Sequence, residues 1–183
     1  QNCNITSGAF LTDTVWTSAG SPYHVKASLA FLENVAWFVG PGTEIILSPG
    51  VELDIYHQFG FYGQTSDVLF ELDDDGHAQV DPEGMVHLHG VAGENNWKWL
   101  MLQTDAPLGR VNIGASPRFF AGNIIFRAQV ANADRALYFN DGDLVLLNSW
   151  YHDNYRFDHV TGSALKWGQG NLIEGSGFST YNQ

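Results

Sequence analysis

Gly122-Asn123-Ile124-Ile125-Phe126-Arg127-Ala128-Gln129-Val130 can be laid over Gly142-Asp143-Leu144-Val145-Leu146-Leu147-Asn148-Ser149-Trp150, an offset of 20 residues. The overlay continues with Asn132 on His152, Asp134 on Asn154 and Leu137 on Phe157. Gly170-Asn171-Leu172-Ile173 restarts the motif after a longer interval. Self-similarity at roughly 20–30 residues is the signature of stacked coils. A single coil cannot bury its own apolar face, so each one needs a neighbour.

Outward from that stretch, short β-branched and aromatic runs recur between glycines. Glu44-Ile45-Ile46-Leu47, Val51-Glu52-Leu53-Asp54-Ile55, Met85-Val86-His87-Leu88-His89 and Trp99-Leu100-Met101-Leu102 are examples. Many short strands between turn residues predict an all-β chain. Helix signals are poor; only 28–38 has apolar spacing for one turn, and its end reads equally well as a strand. The all-β alternatives are a solenoid and a jelly-roll or Ig-like sandwich. Half-exposed antiparallel strands should alternate strictly. Ile124-Ile125-Phe126 and Leu144-Val145-Leu146-Leu147 do not, which favours a right-handed parallel β-helix of about six or seven coils over residues 1–183 as a single domain. At about 4.8 Å per coil this is a rod roughly 30 Å long with unpaired backbone at both tips. Spacing becomes irregular in 56–82 and 103–121, which read as loops or insertions.

The 183 residues suit one domain. Apolar residues make up 44%, enough for a core, and the formal net charge is −12. A nucleic-acid partner would require a basic footprint, and an anionic membrane surface would repel this chain. No apolar run reaches the length of a transmembrane helix.

Four stretches carry a family resemblance. Residues 14–25, Thr14-Val15-Trp16 through Tyr23-His24-Val25, resemble the opening of secreted right-handed parallel β-helix proteins, the pectate-lyase-like solenoids. Gly40-Pro41-Gly42-Thr43-Glu44-Ile45-Ile46-Leu47-Ser48-Pro49-Gly50-Val51-Glu52-Leu53 is similar to their strand, Pro-Gly-Val corner and strand. Asn95-Asn96-Trp97-Lys98-Trp99-Leu100 resembles the tryptophan-bearing coil, and Asn148-Ser149-Trp150-Tyr151-His152-Asp153-Asn154 the asparagine-bearing turn. The resemblance implies a secreted or cell-surface location. Enzymes of these families combine calcium, carboxylates and a basic proton acceptor; Arg127, Arg135, Arg156 and Lys166 are basic here but lie in no motif.

Candidate chemistry is concentrated in a few places. Glu71, Asp73, Asp74, Asp75 and Gly76, followed by Asp81 and Glu83, form an acidic run. Ca²⁺ takes six to eight oxygens, often from alternating carboxylates with a glycine at the bend. Asp73, Asp75, Asp81 and Glu83 are therefore the candidate calcium ligands. The pattern departs from an EF-hand at both ends, and a solvated acidic turn is the plain alternative. His87 and His89 are two apart, so on a strand they share one face; they read as solvent-facing histidines, with a transition-metal pair as the alternative. Trp150, Tyr151, Asp153, Asn154 and Arg156 form an aromatic and polar set of the kind that holds saccharides, although such rings also fill coil interiors. Asn4-Ile5-Thr6 fits an N-glycosylation acceptor. Cys3 is the single cysteine, which precludes an intrachain disulfide. No nucleophile elbow, phosphate loop or zinc-protease helix is present. Nine scattered threonines do not make an ice-binding ladder. The leading expectation is a non-catalytic extracellular module that self-associates into a filament, sheath or surface layer, with calcium as a candidate bridge. A carbohydrate-binding domain and a small polysaccharide lyase or hydrolase are the alternatives.

Overall fold

The computed structural model describes residues 3–6, 8–63, 70–72, 74, 78–80, 84–103, 110–112, 118–120, 123–141, 144–160 and 166–176. The described chain is all-β. Three parallel sheets, A, B and C, are visited in cyclic order. β1 (Cys3–Ile5), β2 (Ala9–Phe10) and β3 (Thr14–Trp16) open sheets A, B and C respectively. β4 (Tyr23–Val25), β5 (Leu29–Phe31) and β6 (Ala36–Val39) form the second winding; β7 (Glu44–Leu47), β8 (Glu52–Ile55) and β9 (Gln58–Tyr62) form the third. A hairpin of β10 (Phe70–Leu72) and β11 (Ala78–Val80) precedes β12 (Val86–Gly90) and β13 (Trp97–Gln103). A second hairpin, β14 (Arg110–Asn112) with β15 (Arg118–Phe120), precedes β16 (Asn123–Phe126), which completes the fourth winding. β17 (Ala128–Ala131), β18 (Ala133–Asp141) and β19 (Leu144–Leu147) follow, then β20 (Trp150–His152), β21 (Arg156–Val160) and β22 (Lys166–Gln169), and β23 (Leu172–Glu174) returns to sheet A. This is a β-helix-like solenoid. Among the described residues all pairing between windings is parallel, as a sandwich of antiparallel strands would not be, and the two antiparallel pairs are the inserted hairpins.

Several expectations are corrected in detail. Ile124 pairs with Val145 and Leu137 with Asp158, so these windings repeat every 21 residues, not 20. Aligning Gly122 with Gly142 misled the overlay, because one more residue separates the later glycine from its strand. A slip of one residue exchanges inward and outward side chains, so the correction matters. Residues 28–38 hold β5 and β6 rather than a helical turn, and the helical element among the described residues is one 3₁₀ turn, Ser18–Gly20. Of the irregular segment 56–82, residues 58–62 belong to the regular third winding, and the two insertions carry hairpins.

The core fills the centre of the windings with one inward column per strand position. Ile45, Leu88, Val130 and Tyr151 stack on sheet A in register, and Leu53 with Leu100 on sheet B. Phe31 lies flat on Trp37 at 4.4 Å between ring centroids, and Trp37 meets Phe61 edge-on at 5.3 Å. Such stacks form because parallel windings place like positions directly over one another.

Corners are held by side chains that reach the neighbouring winding. Asp13 Oδ1 accepts the Ala36 N–H at 2.9 Å, Ser21 Oγ accepts that of Glu44 at 2.8 Å, and Ser28 Oγ that of Glu52 at 3.0 Å. In the last windings Asn154 and Asn171 take the same role. Left-handed corner residues also stack: Asn132, Asp153 and Gly175 have φ of 61°, 53° and 56°, and follow strand ends paired in register. Asn and Asp tolerate this region because their short side chains bond locally.

Gly63 marks the closest approach between windings. It donates its N–H to the Phe126 carbonyl at 2.8 Å, and a Cβ at this position would lie 2.1 Å from the Arg127 carbonyl oxygen. Backbone on both sides cannot retreat without breaking that bond. Gly63→Ala is therefore expected to cost about 1–3 kcal/mol, the ordinary cost of overpacking, read as a lower urea midpoint.

Candidate functional sites on two outer faces

Over β16 and β19 the outer face of sheet C is itself apolar and buried: Ile124, Phe126, Val145 and Leu147 cluster there with Tyr62 against it. β16 and β19 are thus buried on both faces, the physical reason their sequences do not alternate. Sheets A and B present polar groups outward.

On sheet B, one outward column runs Glu52, Trp99, Arg135, Arg156 from β8 to β21. A register shift between β13 and β18 after Trp99 pairs Met101 with Tyr138, and Ala136 and Leu137 are both buried there. A bulge of this kind re-aims side chains. It sets the Tyr138 ring 5.7 Å from that of Trp99, in an edge arrangement. The Arg135 guanidinium carbon lies 5.8 Å from the Trp99 ring centre and 5.5 Å from that of Tyr138. Arg156 lies 5.6 Å from the ring of Tyr155, which is 69% exposed. Lys98 is paired with Glu52 at 2.9 Å. Among the described residues neither Arg135 nor Arg156 has a carboxylate partner. Two like charges held opposite one another are unfavourable until an anion lies between them.

Asp54, on the same face, accepts the Trp99 indole N–H at 3.1 Å. Burial raises its carboxyl above the ordinary 3.8; the indole bond opposes this and the neighbouring Glu52 charge adds to it. A raised folded value favours the protonated group, so this contribution to stability is present below the unfolded value and is lost as pH rises through the folded one. At neutral pH the Asp54 charge weakens the fold. Asp54→Asn keeps an acceptor for Trp99 and removes the charge; its melting temperature is expected to exceed the parent's at pH 7, with the gain lost as pH falls below the ordinary aspartate value of 3.8.

On sheet A, an open groove of about 460 Å³ is lined by Ser21, Glu44, His87, His89, Gln129 and His152, among others. Its side chains are linked. His87 Nδ1 is 2.6 Å from Gln129 Oε1, Gln129 Nε2 is 2.7 Å from His152 Nε2, and His152 Nδ1 is 2.8 Å from Asp153 Oδ2. His89 places Nδ1 2.8 Å from the Gly90 carbonyl and Nε2 3.2 Å from Glu44 Oε1. The Trp150 ring stacks on His152 at 3.8 Å and donates its N–H to Glu174 at 2.9 Å.

The residues singled out from the sequence fall as follows. Asp73, Asp75, Asp81 and Glu83 lie outside the described residues; Asp74 is an exposed turn residue. No three His, Cys, Asp or Glu side chains among the described residues are gathered to hold a metal ion. Trp150 and Asp153 lie on the sheet A side. Tyr151 is wholly buried, and burial pushes its hydroxyl well above the ordinary phenol range. Asn154 is 2% exposed and spent on the corner ladder. Arg156 points from sheet B, so the five proposed saccharide contacts are not gathered on one surface. Asn4 is exposed on β1, and Cys3 is a half-buried free thiol against the core. His87 and His89 do share the outer face of β12. Gln129 and Glu44 were missed, because a polar residue alternating with apolar ones signals only an outward position. No helix among the described residues is long and apolar enough to cross a membrane.

No protein-family model, curated protein or solved structure gives a significant match to the chain.

Proposed function

We propose that this chain is a secreted or cell-surface module of right-handed parallel β-helix type, six to seven coils long, that binds an acidic polysaccharide across the outer face of sheet B. The observation carrying this reading is the Arg135–Arg156 pair, aligned in register without carboxylate partners and flanked by Trp99 and Tyr138. A guanidinium presents a planar fork to a carboxylate or sulfate, and an aromatic ring presents an apolar face to a sugar ring. In a chain of net charge −12, these are cations left available locally. The strand spacing of about 4.8 Å brings both forks onto one acidic group or two adjacent ones. Titration calorimetry with oligogalacturonates and their neutral methyl esters tests it. Binding of the acidic form, weakened at least tenfold by Arg135→Ala and by Arg156→Ala, is expected. Equal affinity for the neutral form, or none for either, overturns it. Appearance of unsaturated or new reducing ends in the same mixtures would make the module a lyase or hydrolase.

A second reading, self-association into filament, sheath or surface layer, is favoured by a separate observation. Among the described residues β1, β2 and β3 each pair on one side only, and Leu11, just after β2, and Val15, within β3, are 74% and 64% exposed. Unpaired strand edges with apolar neighbours are templates for another copy. Negative-stain images with and without calcium would show rods longer than one module; dispersed monomers in both remove this reading, and with it calcium as a bridge.

A further inference from the structure

The hydrogen bonds along the sheet A groove have a direction. A carboxylate oxygen only accepts, so the 2.8 Å contact at Asp153 uses the His152 Nδ1–H. The lone pair of neutral His152 is then on Nε2, and the Gln129 amide N–H donates to it across 2.7 Å. That orientation of the amide leaves Gln129 Oε1 to accept the Nδ1–H of His87 at 2.6 Å. Neutral His87 is thereby held with its lone pair on Nε2, an atom with no hydrogen-bond partner among the described residues. His89 differs: both of its nitrogens are already against oxygen atoms, Gly90 O and Glu44 Oε1, so neither is open to the groove. Of the three groove histidines, His87 alone keeps an open acceptor.

We propose that the outer face of sheet A is a second ligand site, in which His87 Nε2 accepts a hydrogen bond from a hydroxyl of a small polyhydroxylated ligand. The groove of about 460 Å³ falls within the range of small-molecule clefts. The ordered line Asp153–His152–Gln129 fixes which ring nitrogen is bare, as a carboxylate does for a catalytic imidazole. Each bond in such a line polarises the next, so the lone pair at its open end is a stronger acceptor than that of an isolated ring. No bond is broken in this binding. The site is independent of the acidic-glycan reading of sheet B, since it shares no residue with it.

Long-range ¹H–¹⁵N spectra of the intact protein read the tautomers directly. His87 and His152 are expected as Nδ1–H forms, with His87 losing that preference in Gln129→Ala and His152 keeping it. A His87 carrying its proton on Nε2 in the parent overturns the proposal. Diethyl pyrocarbonate, which is attacked by an unprotonated ring nitrogen to form an N–C bond with loss of ethanol and carbon dioxide, gives a second measurement. Peptide mass spectrometry is expected to find His87 modified several-fold faster than His89 and His152, and equal rates overturn the open lone pair. Titration with xylitol and a panel of methyl glycosides is expected to shift the ring signals of His87 and, through Gln129, of His152, and the His152 shift is expected to disappear in His87→Phe. No shift with any of them overturns the assignment of the ligand class.

Discussion

Trp97→Ala and Trp37→Ala are each expected to lower stability by about 3–5 kcal/mol, the usual cost of deleting a buried tryptophan. Both rings are fully buried. Urea unfolding followed by far-ultraviolet circular dichroism measures the loss. The phenylalanine variants separate the two. Trp97 donates its indole N–H to the Ala131 carbonyl at 2.8 Å, so it ties the fourth winding to the fifth by a hydrogen bond as well as by packing. Trp97→Phe orphans that carbonyl, for about 1–3 kcal/mol beyond the lost volume. The Trp37 indole nitrogen is buried without a hydrogen-bond partner among the described residues, and the ring is held by packing against Trp16, Phe31 and Phe61. Trp37→Phe removes an unpaired polar group and keeps an aromatic ring for the stack, so its cost is expected to be the smaller. Equal losses for the two phenylalanine variants would show that volume outweighs the hydrogen bond.

Asn154→Ala should produce the next largest loss. Asn154 Oδ1 accepts the Ala133 N–H at 2.9 Å and its Nδ2 donates to the Val130 carbonyl at 3.0 Å, on either side of the corner between β17 and β18. Removing the amide orphans two backbone groups in a buried place, at about 1–3 kcal/mol each. Asn171 makes the equivalent pair, accepting from Ser149 N–H at 3.1 Å and donating to the Leu146 carbonyl at 2.9 Å. It is half-buried, so water can replace part of what Asn171→Ala removes, and its loss is expected to be smaller. Hydrogen exchange at Ala133 gives a local readout: its amide should exchange faster in Asn154→Ala and unchanged in Asn171→Ala. An unchanged Ala133 rate in Asn154→Ala would remove the corner bond from the account.

The two faces differ in what can be read from residues in a line. His87-Leu88-His89 announces its outward pair, because alternation on one strand is a local property. Gln129 gives no such announcement: it becomes part of a line only because the windings place it in register with His87 on one side and Trp150 on the other. Arg135 and Arg156 are likewise two isolated cations until β18 and β21 are paired. Tyr151 and Asn154 are the complementary case: one is buried and the other is bonded to backbone at a corner. They sit in the same short stretch as Trp150 and Asp153, but neighbours along a strand point to opposite faces, and a corner amide is claimed by backbone.

Apolar runs, glycine punctuation and the near-repeat at residues 122–150 determined by themselves that the chain is built of short stacked strands, since a strand of this composition buries itself only against its like. The repeat length of 21 and the arrangement of the insertions as hairpins needed the tertiary structure, because one residue more or less before a strand leaves the composition unchanged and reverses every side chain in it. The cation pair on sheet B and the directed histidine line on sheet A were decided by tertiary structure alone: each joins residues about 20 to 40 positions apart, and only register between windings brings them within bonding distance.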